Sequence, residues 1–244
     1  MAKKHLFICG CPRSGTTAMW NLFTASSDHV LGVERYGNRV FSHQSLDKSL
    51  FEQERFFTIQ QGDTFYNNLV EFNPYYEKAK LLYENAKYVG DKIPLLYTQF
   101  SQLHDNIPDA VVVFLFRNII EVSSSYKARS ADLEDIHWSS NKGVETAIRE
   151  WAMSIRAYNH WKNKISIVPI CYEDFFFDPA SLQRLSQVIN IEYPAVIKRH
   201  QQLLKLSKSL QEGRRVTLSS EEMFKISMTA PFGAFRNIIE EARA

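Results

Sequence analysis

Residues 5–17 read HLFICGCPRSGTT: an apolar run from His5 to Cys9, then Gly10-Cys11-Pro12-Arg13-Ser14-Gly15, then Thr16-Thr17. The run is too apolar to keep one face in water, so it predicts a buried strand, and the pattern from Gly15 to Ser26 predicts a helix after it. Gly10 and Gly15 have the G-x-x-x-x-G spacing of a phosphate-cradling loop in the strand–loop–helix context that such a loop requires. Amides at a helix start lack intrahelical acceptors and are reinforced by the helix dipole, so they form an anion site. Thr16 and Thr17 add hydroxyls, Ser14 another, and Arg13 a permanently charged fork. Thr16, however, stands where a nucleoside-triphosphate loop carries lysine. A triphosphate needs that cation and Mg²⁺, with a carboxylate at the end of a neighbouring strand. Here the strand-like run Ala110 to Phe116 (AVVVFLF) leads into Arg117 instead. The expected anion carries less charge at its reacting group and is bound without metal.

Working outward, Ile165 to Cys171 (ISIVPIC) predicts a third buried strand and Tyr88 to Gly90 a short one. Helical patterns cover Tyr75 to Asn85, Ile119 to Arg129 and Val144 to Lys162, the last with Ile148, Trp151, Ile155 and Tyr158 on one stripe. Strand then helix, repeated, predicts an α/β fold: a P-loop-like parallel sheet with helices on both faces, residues 1–244 forming one domain. Ligands of such sheets sit at the carboxyl ends of the strands, which marks the loops 10–17, 32–39, 91–94 and 117–125. Ala195 to Leu210 reads as helix, while Gln211 to Ala230 shows no firm period.

Composition excludes several classes. Hydrophobic residues make up 45% and charged residues 23% of 244, which is globular usage rather than disorder. A net charge of +2 without a Lys/Arg block does not make a nucleic-acid surface. No apolar run is long enough to span a bilayer, and MAKKHLF leads straight into a strand, so a soluble, unprocessed chain is expected. Three cysteines cannot build a disulfide framework, and Cys9 and Cys11 read as packing; a reducing cytoplasm is the expected setting.

PRSGTT after a strand, Arg117 and Ser125 eight residues apart at a later strand–helix unit, and CYEDFFFDP (171–179) after a third strand together resemble the sulfotransferases that use 3′-phosphoadenosine 5′-phosphosulfate (PAPS). The resemblance spans roughly residues 5 to 190. It implies that the first loop (Arg13, Ser14, Gly15, Thr16, Thr17) grips the 5′-phosphosulfate and that Arg117 and Ser125 grip the 3′-phosphate. With GVERYGNR about twenty residues on, the chain looks most like the tyrosylprotein and bacterial branch. By that resemblance Glu34 is the general base, Lys92 touches the transferring sulfonate and Tyr172 lies near the nucleotide. Tyr36 stands where the tyrosylprotein enzymes keep a substrate-binding arginine, which points away from peptide tyrosine as acceptor.

The chemistry so implied is in-line sulfonate transfer to a hydroxyl or amine, in which the protein positions the reactants and stabilises charge. Arg13, Lys92 and the loop amides would meet the charge on the leaving group, and Glu34 would take the acceptor's proton, with His43 the alternative base. Tyr36, Phe41, Phe56, Phe57, Phe65 and Tyr66 suggest an aromatic-lined side for a small-molecule or glycan acceptor. Arg214, Arg215 and Arg236 are candidates to close over the nucleotide. The competing readings are a P-loop phosphotransferase or NTPase, and a nucleotide-binding module without catalysis.

Overall fold

The apolar runs at 5–9 and 110–116 become the two central strands of a five-stranded sheet, and each alternates between two cores. In the computed structural model, which describes residues 3–65, 73–135, 138–178, 180–189, 191, 193–212 and 216–243, the strands are β1 (Lys4–Gly10), β2 (His29–Val33), β3 (Tyr88–Lys92), β4 (Val111–Phe116) and β5 (Ser166–Cys171). Among the described residues all are parallel, in the order β2-β3-β1-β4-β5. Phe7, Cys9, Val112, Phe114 and Phe116 face one layer, and Leu6, Ile8, Val113 and Leu115 the other. Every one is buried, as a period of two in a sheet covered on both faces requires. Each such aliphatic or aromatic side chain contributes about 1.5–3 kcal/mol of transfer free energy.

The helices, in chain order, are α1 (Thr16–Phe23), α2 (Gly37–Phe41), α3 (Gln53–Phe57), α4 (Asn73–Leu82), α5 (Phe100–Asn106), α6 (Ile119–Ser130), α7 (Val144–Trp161), α8 (Tyr172–Phe175), α9 (Ser181–Val188), α10 (Tyr193–Glu212), α11 (Ser220–Thr229) and α12 (Phe232–Arg243). The stripe Ile148, Trp151, Ile155 and Tyr158 of α7 is buried against the first core, while Met19, Trp20 and Phe23 of α1 pack into the second. The chain leaves β1 toward β2 and leaves β4 toward β5. These neighbours therefore diverge, and the crevice at their carboxyl ends is the switch point where ligands of such sheets bind.

Three stretches differ from the sequence expectation. The run at 165–171 forms a strand but not a buried one: β5 is an edge strand beside β4 alone, so Ser166 is exposed and Ile167 to Ile170 are half-buried. The loop at 32–39 follows a strand, β2, that the apolar pattern did not reveal, because its pairing with β3 and its position under the following turn bury His29 and Gly32 along with three apolar residues. Within 211–230, α11 starts at a capping box in which Ser219 and Glu222 exchange hydrogen bonds, and it docks through Ile226 and through Lys127–Glu222 at 2.7 Å. Tyr66, Pro179, Arg214 and Arg215 lie outside the described residues.

Candidate active site

The loop from Cys11 to Gly15 is held in two left-handed steps, with φ of 73° at Arg13 and 93° at Gly15. The Ser14 amide donates to the Cys11 carbonyl at 3.1 Å, which closes the turn. No side chain caps α1 and no acid stands in its first turn, so neither a capping side chain nor a first-turn carboxylate offsets the positive end of its dipole. Ser14 Oγ is buried and has no hydrogen-bond partner. Gly15 is required twice over: besides its φ, a Cβ there would lie 2.6 Å from Cδ2 of Tyr172.

Tyr172, at the end of β5, links this loop to the end of β4. The Arg117 guanidinium lies 4.2 Å over the Tyr172 ring centroid and donates through Nη1 to the Arg13 carbonyl at 3.1 Å. Arg13 in turn donates through Nε to Ser125 Oγ on α6 at 2.8 Å. The Trp151 indole fixes the Arg117 backbone by donating to its carbonyl at 2.8 Å. Arg117 Nε is buried without a partner. Burial first, and then the nearby charges of Arg129 and Arg117, hold the Arg13 guanidinium below its ordinary pKa. Arg117 also meets Glu121 at 3.5 Å and Arg129 meets Asp135 at 2.5 Å, so two of the three cations have acidic partners.

A second pair sits one strand away. Glu34 follows β2 with φ of 50°, and Lys92 ends β3 with its side chain 3% exposed. Lys92 Nζ and Glu34 Oε1 are 2.6 Å apart, and the Glu34 amide donates to the Lys92 carbonyl at 2.8 Å. Lys92 pairs in register with Ile8 of β1, the strand that leads into the loop.

The structure thus links Arg13, Gly15, Arg117, Ser125 and Tyr172 by direct contacts at the carboxyl ends of β1, β4 and β5, with Ser14, Thr16 and Thr17 on the same loop and helix start, and it pairs Glu34 with Lys92 at the ends of β2 and β3. The aromatic set divides. Tyr36 and Phe56 are core residues, not a lining: both are fully buried, the Tyr36 hydroxyl donates to the Leu50 carbonyl, and burial pushes its phenol pKa up. Phe57 is half-buried against Phe56 and Tyr83. Phe41 and Phe65 stay exposed and meet edge to face at 5.5 Å. A Cβ at Gly37 would stand 3.1 Å from Glu34 Cβ and 3.6 Å from the Phe65 ring, so this pair adjoins Glu34. His43 meets the Gln99 amide through Nδ1, and Arg236 is exposed on α12. Cys9 and Cys11 are buried, with thiols pushed up by burial. Two residues escaped the sequence reading: Arg35, which is buried and paired with Asp63 at 2.8 Å, and Asp91. A charged residue inside the buried run YVGDK was the available signal for Asp91.

Two solved structures share the frame. The sulfotransferase domain from the Synechococcus PCC 7002 olefin synthase is 17% identical with a TM-score of 0.52, over 80% of this chain and 76% of that one. The sulfotransferase domain from the curacin biosynthetic pathway is 14% identical with a TM-score of 0.52, over 91% of this chain and 82% of that one. At such identities the likeness concerns the fold. No curated protein matches this chain in sequence. Residues 5–195, which contain the loop, both strand-end clusters and β5, match the sulfotransferase family, and the chain belongs to that family of transferase enzymes.

Proposed function

We propose that the protein moves the sulfonate group of PAPS in line to a hydroxyl or amine of a small-molecule or glycan acceptor, with Glu34 as general base. The observation that carries this reading is the 2.6 Å Lys92–Glu34 pair at the ends of β2 and β3, one strand from a lysine-free anion loop. The residues suit a nucleotide carrying two anionic ends. Ser14 Oγ and Arg117 Nε are buried donors that lack acceptors, and groups of that kind are rare unless a ligand satisfies them. Arg13, Ser14, Thr16, Thr17 and the first amides of α1 would hold the 5′-phosphosulfate. Arg117 and Ser125 would hold the 3′-phosphate, and Tyr172 would support Arg117 from below.

When bound, PAPS supplies an activated sulfonate on a phosphate leaving group. Glu34 Oε1 is engaged by Lys92, which leaves Oε2 to take the acceptor's proton, a role typically contributing 10²- to 10⁴-fold. Lys92, Arg13 and the α1 amides stabilise the negative charge that grows on the leaving oxygen, about 3 kcal/mol for each well-placed donor. Positive charge that Mg²⁺ and a loop lysine bring to a triphosphate site comes here from side chains. Among the described residues no group of three His, Cys, Asp or Glu is placed to hold a metal ion.

The exposed Phe41–Phe65 pair beside Glu34 supports an acceptor with an aromatic or alkyl face, and a sugar ring can stack there through its own apolar face. Neither nucleic acid nor membrane enters the reading; among the described residues no helix is long and apolar enough to cross a bilayer. Three buried free cysteines suit the reducing cytoplasm, and the reading takes residues 1–244 as one catalytic unit. The test is transfer of radiolabelled sulfonate from PAPS to panels of glycans, phenols and metabolite alcohols. Transfer to any of them supports the proposal. Nucleotide binding without turnover would favour a binding module, and Mg²⁺-dependent ATP turnover a phosphotransferase.

A further inference from the structure

Glu34 is held in the left-handed region, which costs a non-glycine residue about 1–2 kcal/mol and persists only where the surroundings over-determine it. Three consecutive amides show what does so. The Glu34 amide donates to the Lys92 carbonyl at 2.8 Å, the Arg35 amide to Asp91 Oδ1 at 3.1 Å and the Tyr36 amide to Asp91 Oδ2 at 2.8 Å. Asp91 is fully buried in β3, and the residue opposite it in register on β2 is Gly32. A Cβ on Gly32 would lie 2.7 Å from Asp91 Oδ1 and 2.6 Å from Arg35 Cβ, so the carboxylate reaches the turn only because glycine leaves the space. Neighbouring residues on β3 therefore grip one turn by two routes. Asp91 takes its backbone, and Lys92 takes the Glu34 side chain.

We propose that Asp91 is a positioning residue whose carboxylate pins the 34–36 turn and thereby sets Glu34 against Lys92. This rests on the reading of Glu34 as the base. A hydrophobic side chain in place of Asp91 would leave two buried amides without acceptors, which explains a carboxylate at the cost of burying it. Burial pushes the Asp91 carboxyl up to about 7, against the pull of the Tyr36 and Arg35 amides, Lys92 and the Arg35 guanidinium. The other ionisable groups near it are Tyr36 in the turn and Tyr75 and Tyr76 from α4, whose phenols are pushed up by burial first, with the Asp91 charge adding to it. Protonation would remove one of the two full acceptors and loosen the turn in the neutral range.

The experiment pairs Asp91→Asn, which keeps shape and one acceptor, with Gly32→Ala, which crowds the carboxylate without removing it. In wild-type protein the backbone amide resonances of Arg35 and Tyr36 should shift with a shared midpoint near pH 7, and Asp91→Asn should abolish that titration. This readout needs no turnover, so it tests the clamp even if the protein transfers no sulfonate. In the transfer assay both variants should lose about tenfold to a hundredfold in kcat, as for a misplaced catalytic group, with the nucleotide dissociation constant unchanged. The acid limb of wild-type kcat near pH 7 should vanish in Asp91→Asn. Arg35 and Tyr36 amide resonances that Asp91→Asn leaves in place, or an Asp91→Asn enzyme with wild-type kcat and an unchanged acid limb, would overturn the assignment.

Discussion

Lys92→Ala separates holding from catalysis, because the structure gives different sizes to its two effects. The Lys92 ammonium is 3% exposed and its partner Glu34 is 24% exposed. Removing the lysine takes the buried charge away and leaves a carboxylate that can turn to water, so the stability loss should stay near the exposed-pair figure of about 1 kcal/mol. The catalytic loss should be larger: a missing donor to the leaving oxygen lowers kcat by about 10²- to 10³-fold, equivalent to about 2.7–4 kcal/mol. Glu34→Gln should reverse the balance in stability, since it leaves the buried ammonium unpaired, a loss approaching 3 kcal/mol. Denaturant titration, saturating kinetics and nucleotide calorimetry on both variants and their combination test this. Lys92→Ala should lower kcat and kcat/KM together with the PAPS dissociation constant nearly unchanged, and the double variant should cost less than the two losses added. Lys92→Arg should rescue only in part, because a planar fork does not follow a moving oxygen as a compact ammonium does. A Lys92→Ala enzyme that binds PAPS far more weakly yet turns over normally once saturated would refute the reasoning.

Arg117→Ala should weaken nucleotides that carry a 3′-phosphate by roughly 1.5–3 kcal/mol while barely affecting adenosine 5′-phosphosulfate, and equal calorimetric losses for both would remove Arg117 from the 3′-phosphate. Gly15→Ala should cost about 1–2 kcal/mol in backbone strain, displace the Tyr172 ring and lower nucleotide affinity at least tenfold; unchanged denaturation and affinity would contradict that packing. His29, buried with neither ring nitrogen hydrogen-bonded, has its pKa lowered by burial from 6.5 to about 4. Its unfolded form binds the proton first, so its contribution is lost as pH falls through that window, by roughly 3 kcal/mol at 1.36 kcal/mol per unit. Asp91, raised from 3.8 to about 7, has the opposite slope over most of the same range, losing stability as pH rises. The readout is therefore the difference between wild type and His29→Phe, which should grow as pH falls from 6.5 toward 4. A constant difference would mean that His29 is not buried neutral.

The frame was legible where burial on both faces writes itself as a continuous apolar run, as in β1 and β4; the run at 165–171 revealed β5 but not its exposure, because an edge strand paired only with β4 is left half-buried. The frame was not legible in β2, where His29 and Gly32 interrupt the pattern and the strand is defined by its partner β3. The strand–loop–helix unit at 10–17 could be read because its glycine spacing and flanking elements are local. Tyr36 could not be placed, since whether a phenol faces water or the Leu50 carbonyl depends on a segment fourteen residues away. The Asp91 clamp stayed hidden for the same reason: its two amides lie 55 and 56 residues back along the chain. α11 carried its capping signal in Ser219 and Glu222, but exposed Met223, Phe224 and Met228 blurred its period.

The measurement that bears most directly on the central claim is calorimetric titration of the protein with 3′-phosphoadenosine 5′-phosphate in the presence of EDTA, beside ATP with Mg²⁺. On the proposed reading Arg13, Arg117, Lys92 and the α1 amides would supply the positive charge, so binding of the 3′-phosphorylated nucleotide should survive chelation and exceed that of ATP. Binding that disappears with EDTA, or that is tighter for ATP with Mg²⁺, would contradict the account.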